Sequence, residues 1–190
     1  MADILLRSPA SPEALAALRA GDRVLLSGVI YTARDAAHAR LFAALERGEE
    51  LPVDLRGASI YYAGPTPTPP GRVSGAIGPT TSTRMDKFTP ALLRYGVRVL
   101  IGKGDRSESV AEALRENGAV YLAAPGGCAA YMARCVKELT VVAYDDLGTE
   151  SIKRLTVENM PLTVVLDTCG GNAYRDGRAE WLASPGAMKE

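Results

Sequence analysis

The chain has 190 residues, 47% of them apolar and 23% charged, enough to bury one core and too apolar for disorder. Lys plus Arg equals Asp plus Glu at 22 each. That balance leaves no basic footprint for nucleic acid or an anionic membrane, so any cationic chemistry has to be local. Asp3 sits in an N-terminus without a basic start and long apolar run, which argues against a signal peptide, and no stretch nears the ~18 apolar residues of a membrane span. Three cysteines without framework spacing point to a reducing compartment, and the chain reads as cytoplasmic.

The first predicted element is a short helix over Ser11 to Arg19, with Ser11 as cap and Pro12 in the first turn. "DRVLLSGVIYT" follows as a strand. Thr32 to Arg47 reads as a helix opened by a Thr32/Asp35 capping box and closed by Gly48. "GASIYYAG" is a second strand, "PTPTPPG" a stiff loop, and "RVSGAIGPT" a third strand. A helix from Met85 to Tyr95 comes next, with Pro90 expected to distort its middle.

Strand and helix then alternate through "VRVLIGKG", "SESVAEALRENG", "AVYLAAPGG", "CAAYMARCVKE" and "LTVVAYDD". "IKRLTVEN" and "PLTVVLDT" read as a two-stranded β-ribbon, followed by the glycine-rich "CGGNAYRDG". The pattern predicts an α/β fold with both parallel and antiparallel strands, in one domain over 1–190 with an N-terminal extension (1–22) and a C-terminal tail (173–190).

The nucleotide-binding loops are absent. "IGKGDRS" misses the P-loop pattern, and no G-x-G-x-x-G follows the first strand. "GPTTSTRMD" is more informative. A Thr83/Asp86 capping box would account for a helix start alone, but not for Thr80, Thr81 and Arg84 beside it. Free helix N–H groups, hydroxyls and a guanidinium fork together make a carboxylate or phosphate pocket.

"YTARDAAHARL" places Arg34 at another helix start, with Asp35 and His38 three apart on one face. Alone, this is a capped helix with an exposed or core-edge histidine. Arg34, Arg84 and Lys103 nevertheless each follow a predicted strand, where open α/β sheets gather ligands. Three converging cations suit a dicarboxylate.

Cys128 and Cys135 are seven positions apart on a predicted helix, about 10 Å at 1.5 Å rise per residue, which is too far for a disulfide and awkward for one cubane. All three cysteines read as small buried apolar residues. Asp145 and Asp146 read as solvated acids in a turn.

"ARDAAHARL", "IYYAGPTP", "GAIGPTTSTRMD", "VLIGKGDRS", "APGGCAAYMARCVKE", "VVAYDDLGTESIKRLTVENMP" and "VVLDTCGGN" together resemble the beta subunits of class I fumarate hydratase and, equally, of L-tartrate dehydratase, in one iron–sulfur hydro-lyase family. The resemblance runs in order from Leu25 to Asn172. It implies a swivelling β/β/α domain that closes over a [4Fe-4S] cluster carried by a separate alpha subunit, so this chain would be active only in a hetero-oligomer, with a homodimer as its state alone. It also implies roles: Arg34, Arg84 and Lys103 as substrate-binding cations with Thr81 beside them, Thr80 in proton abstraction, and Asp35 and His38 as catalytic partners from the first motif. Cys128, where Pro or Ala is expected, and Asp105 after "GKG" depart from the family pattern.

The implied reaction is reversible addition of water to fumarate to give L-malate, with the open iron as Lewis acid. L-Tartrate is the alternative diacid, since both need the same cations. A non-catalytic binding module of the same fold is the third reading, although a chain freed from chemistry would not need the full set of site residues.

Overall fold

In the computed structural model, which describes residues 3–184, strands and helices alternate along most of the chain. The strands are β1 (Ile4–Ser8), β2 (Arg23–Thr32), β3 (Ser59–Tyr61), β4 (Val99–Gly102), β5 (Val120–Ala123), β6 (Val136–Ala143) and β7 (Ile152–Leu166). The helices are α1 (Pro12–Ala17), α2 (Asp35–Glu46), α3 (Thr89–Tyr95), α4 (Glu108–Glu116), α5 (Ala129–Cys135) and α6 (Ala173–Ala183). The sheet order is β1-β2-β3-β4-β5-β7-β6, with β2 also pairing β7. The first five strands run parallel, and β7 runs antiparallel to β5, β2 and β6. Because β2 meets both β3 and β7, the strands β2-β3-β4-β5-β7 close into a ring. The α/β class and the mixture of strand directions agree with the sequence pattern.

β3, β4 and β5 are buried on both faces, as parallel strands under helices are. Alternate residues Val24, Leu26, Val99, Ile101, Val120 and Leu122 join α1 and α5 in one cluster. The intervening Ile60, Tyr62, Leu100, Tyr121 and Val165 join α2, α3 and α4 in a second. The period of two along each strand thus sorts one apolar run into two cores.

Several elements depart from expectation. The ribbon is one strand: the irregularity read as a turn is absorbed at Asn159 (φ 48°), whose N–H donates to Ser27 Oγ at 2.9 Å, beside a bulge between Leu26 and Gly28. Residues 72–80 form no strand, only the single bridge Ala63–Pro79. This segment instead packs on the proline loop, where Thr66 N–H donates to Ala76 O and a Cβ on Gly75 would collide with the Thr66 backbone.

Pro90 does not distort a helix but opens α3, where its missing N–H costs nothing, and Ser82–Met85 forms a separate 3-10 turn. Thr32 does not cap α2: its hydroxyl serves β7, accepting from Lys153 N–H at 3.1 Å. Of the C-terminal tail, residues 173–183 form α6, capped by Asn172 Oδ1, while 185–190 lie outside the described residues, as do Met1 and Ala2. The remainder of the N-terminal extension supplies β1 and α1. Cys135 is buried, but Cys128 and Cys169 are exposed, contrary to the apolar reading. No helix among the described residues is long and apolar enough to cross a membrane.

Candidate active site

The segments that follow β2, β3 and β4 converge where the parallel strands end, the position at which such sheets hold ligands. Arg34 is the N-cap of α2 and makes no side-chain cap. Glu150 takes that role: its Oε2 accepts from Ala36 N–H at 3.0 Å, and its Oε1 lies 3.3 Å from Arg34 Nη2. A carboxylate at a helix N-terminus is favoured by the free amides and the helix dipole.

Lys153 in turn holds the Asp145–Glu150 turn that carries Glu150. Its Nζ donates to Gly148 O at 2.9 Å and Ser151 Oγ at 2.6 Å. Burial pushes its ammonium below the usual lysine range, and Asp145 opposes this. Gly64 leaves room for Arg34, because a Cβ there would come within 3.3 Å of Arg34 Cδ and 2.9 Å of Thr149 O. Asp146, read as solvated, is exposed and pairs with Arg40 at 2.8 Å.

Asp35 sits between two of the predicted cations. Its Oδ1 accepts from Arg84 Nε at 2.8 Å, and its Oδ2 lies 4.0 Å from Arg34 Nε. The second group is joined through the backbone. Lys103 N–H donates to Thr80 O at 3.3 Å, Ser82 N–H to Lys103 O at 2.9 Å, and Thr80 N–H to Tyr62 O at 2.6 Å. Thr80, Thr81, Arg84 and Lys103 therefore sit on two adjoining loops. Neither threonine hydroxyl nor the Lys103 ammonium has a hydrogen-bond or ion-pair partner among the described residues.

Arg34 Nε, Asp35 Oδ2 and His38 Nε2 are buried without a hydrogen-bond partner among the described residues, the first two lying 4.0 Å apart, beyond hydrogen-bond reach. Such atoms are rare in folded proteins and call for a missing partner. The set of two guanidiniums, one ammonium and free hydroxyls can hold a small dianion at two ends.

His38 lies behind this arrangement rather than in it. It is fully buried, neither exposed nor at a core edge, and packs against Tyr62 and Phe88. Its Nδ1 is 2.9 Å from Arg34 O, and a carbonyl only accepts, so the proton is on Nδ1. The ring thereby fixes the backbone that aims Arg34.

Burial pushes the imidazole down to about 4, with Arg106 adding to this while the Arg34 carbonyl and Asp35 oppose it. The unfolded chain protonates near 6.5, so stability falls as pH drops from about 6.5 to about 4, by up to about 3 kcal/mol. Urea unfolding at several pH values should show this fall, flattened in His38→Leu. His38 is the only histidine, so its ring proton resonance is unambiguous. It should not titrate between pH 8 and 5, and a midpoint near 6.5 would contradict its burial.

Sequence reasoning missed Glu150 and misread Asp86. The Thr83/Asp86 cap does not form; Asp86 accepts instead from Arg106 Nε and Ser107 N–H, both at 2.7 Å. No spacing rule links Asp86 to Arg106 or Glu150 to Arg34. The acid run before β7 was the only signal for Glu150.

Among the described residues, no group of three His, Cys, Asp or Glu side chains could hold a metal ion. Cys128 and Cys135 lie at opposite ends of α5, and Cys169 lies in the loop before α6. This donor set does not fit an iron–sulfur cluster.

Comparison with known proteins returns one family, described as the fumarase C-terminus, over residues 1–177. Fumarate hydratase 2 of Leishmania major is 39% identical over 156 residues, or 81% of this chain. The anaerobic class I fumarate hydratase of Escherichia coli (strain K12) is 40% identical over 155 residues, or 80% of this chain. The chain spans 28% of the length of each of these relatives. A putative L(+)-tartrate dehydratase subunit beta of Methanocaldococcus jannaschii is 40% identical over 165 residues, covering 84% of this chain and 85% of that protein.

Proposed function

This chain belongs to the fumarase C-terminus family, and from that premise we propose that it is the beta subunit of a two-subunit hydro-lyase that reversibly hydrates fumarate to L-malate. The observation that carries the reading is the pairing of Arg34 and Arg84 around Asp35, beside Thr80, Thr81 and Lys103 on the adjoining loops. Arg34 orients one carboxylate of the diacid. Arg84 and Lys103 hold the other, where charge grows when the neighbouring carbon loses its proton, and preset cations favour that charged state. Thr80 accepts the proton, with Thr81 supporting the substrate. An alcohol is a weak base, so a carboxylate of the partner subunit has to take the Thr80 hydroxyl proton as Thr80 accepts the one from the substrate carbon.

Asp35 sets the two guanidiniums, and His38 sets Arg34. The [4Fe-4S] cluster belongs to the alpha subunit, and the complex works in the cytoplasm. The second reading, L-tartrate dehydration, is favoured by the Methanocaldococcus relative, whose length this chain nearly spans.

The test is anaerobic purification of the tagged chain from its native cells, followed by assay of the eluate. We expect a co-purifying iron-containing partner and turnover of fumarate. Turnover of L-tartrate alone would replace the substrate. No iron partner and no turnover would leave a non-catalytic binding module.

A further inference from the structure

Arg106 takes no part in the chemistry above, yet its side chain is 0% exposed and all its nitrogens are occupied in one cluster. Nε donates to Asp86 Oδ1 at 2.7 Å, Nη2 to Thr89 Oγ1 at 2.7 Å, and Nη1 to the Tyr62 hydroxyl at 3.4 Å. Its guanidinium carbon lies 5.4 Å from the centre of the Tyr62 ring and 5.1 Å from that of Tyr121. The surrounding groups extend the clasp. Asp86 Oδ2 accepts from Ser107 N–H at 2.7 Å. Thr89 Oγ1 donates to Met85 O at 2.9 Å, and the Tyr121 hydroxyl donates to Gly104 O at 2.8 Å while Ser82 Oγ lies 2.9 Å away.

These contacts share one geometry. One side of the clasp is the Thr80–Asp86 segment, which carries Thr80, Thr81 and Arg84. The other is the Lys103–Ser107 segment. A buried ion pair is a costly way to fill a core, and an apolar residue would pack as well. What the guanidinium adds is a rigid fork that fixes several partners at once.

We infer that Arg106 is a positioning residue that locks the Thr80–Arg84 turn to the Lys103 loop, so that hydroxyls, guanidinium and ammonium form one preset anion site. The catalytic part of this inference rests on the hydro-lyase reading; the locking of the two loops does not.

Two measurements test it on Arg106→Lys, which keeps the charge and loses the fork. In the assembled complex, kcat/KM for the diacid should fall about 30- to 100-fold, mostly in kcat, because a misplacement of about 1 Å costs that much. In the full chain, amide hydrogen exchange at Ser82 and Lys103 should speed up together by about tenfold or more, while Val24 to Ile30 stay as in the wild type. Should Arg106→Lys not fold, Thr89→Val removes one prong and should move both readouts the same way, several-fold. A folded Arg106→Lys with kcat/KM within about threefold of wild type, or with unchanged exchange in both loops, would overturn the inference. Failure of the hydro-lyase reading appears elsewhere, as a wild-type complex without turnover. In that case the exchange result alone decides whether Arg106 locks the loops.

Discussion

Arg84→Lys in the assembled complex lowers kcat/KM for its diacid by about a hundred- to a thousandfold, the range seen when one preset donor to a developing charge is lost. Charge is retained in this variant, so the loss measures geometry. Arg84 Nε is committed to Asp35 at 2.8 Å, and its terminal nitrogens have no partner among the described residues. One ammonium cannot hold Asp35 and present a fork to a carboxylate as well. Folding should be little affected, since the Arg84 side chain is 52% exposed and exposed ion pairs contribute at most about 1 kcal/mol. Steady-state kinetics with a melting curve on the same preparation check both statements. Turnover within threefold of wild type removes Arg84 from the site.

Asp86→Ala has the largest expected effect on stability, a loss of about 3–5 kcal/mol. The carboxylate is 14% exposed and its partner guanidinium 0%, so its removal strands a charge in the core. Domains of this size are stable by only about 5–15 kcal/mol, so the variant sits near the limit of folding. Urea unfolding of Asp86→Ala, Arg106→Met and the double variant makes a complete cycle. The double variant should be clearly more stable than Asp86→Ala, since no charge is left buried alone. A double variant as unstable as the sum of the singles would mean that the two side chains do not depend on each other.

The fold was legible where a short apolar run had one interpretation. β2, β4 and β5 are β-branched runs bounded by polar or glycine residues, and α2 and α4 show helical spacing between them. It was not legible where one signal serves two structures. Asn159 and Pro161 announce a turn, yet a bulge accommodates them when a partner strand supplies Ser27 Oγ. Pro90 reads as a breaker until the helix is seen to start beside it.

In the site, Arg34, Arg84 and Lys103 stood out because cations at strand ends are visible in a linear pattern. Glu150 meets Arg34, and Asp86 meets Arg106, only after the chain has folded back, and no local rule encodes those meetings. His38 was visible as a residue but its burial was not, because that depends on Tyr62 and Phe88 arriving from other segments.

The ring also sets an order of events during synthesis. Arg23 pairs with Thr163 and Tyr121 with Leu166, so β2 and β5 each keep an open edge until the last strand has left the ribosome. Until then the nascent chain carries two bare apolar strand borders, the feature through which incomplete chains stick to one another. Contacts between such distant residues also form slowly. The yield of folded protein should therefore depend on how soon the segment around Thr163 is delivered, and on whether a chaperone covers those borders while it is awaited.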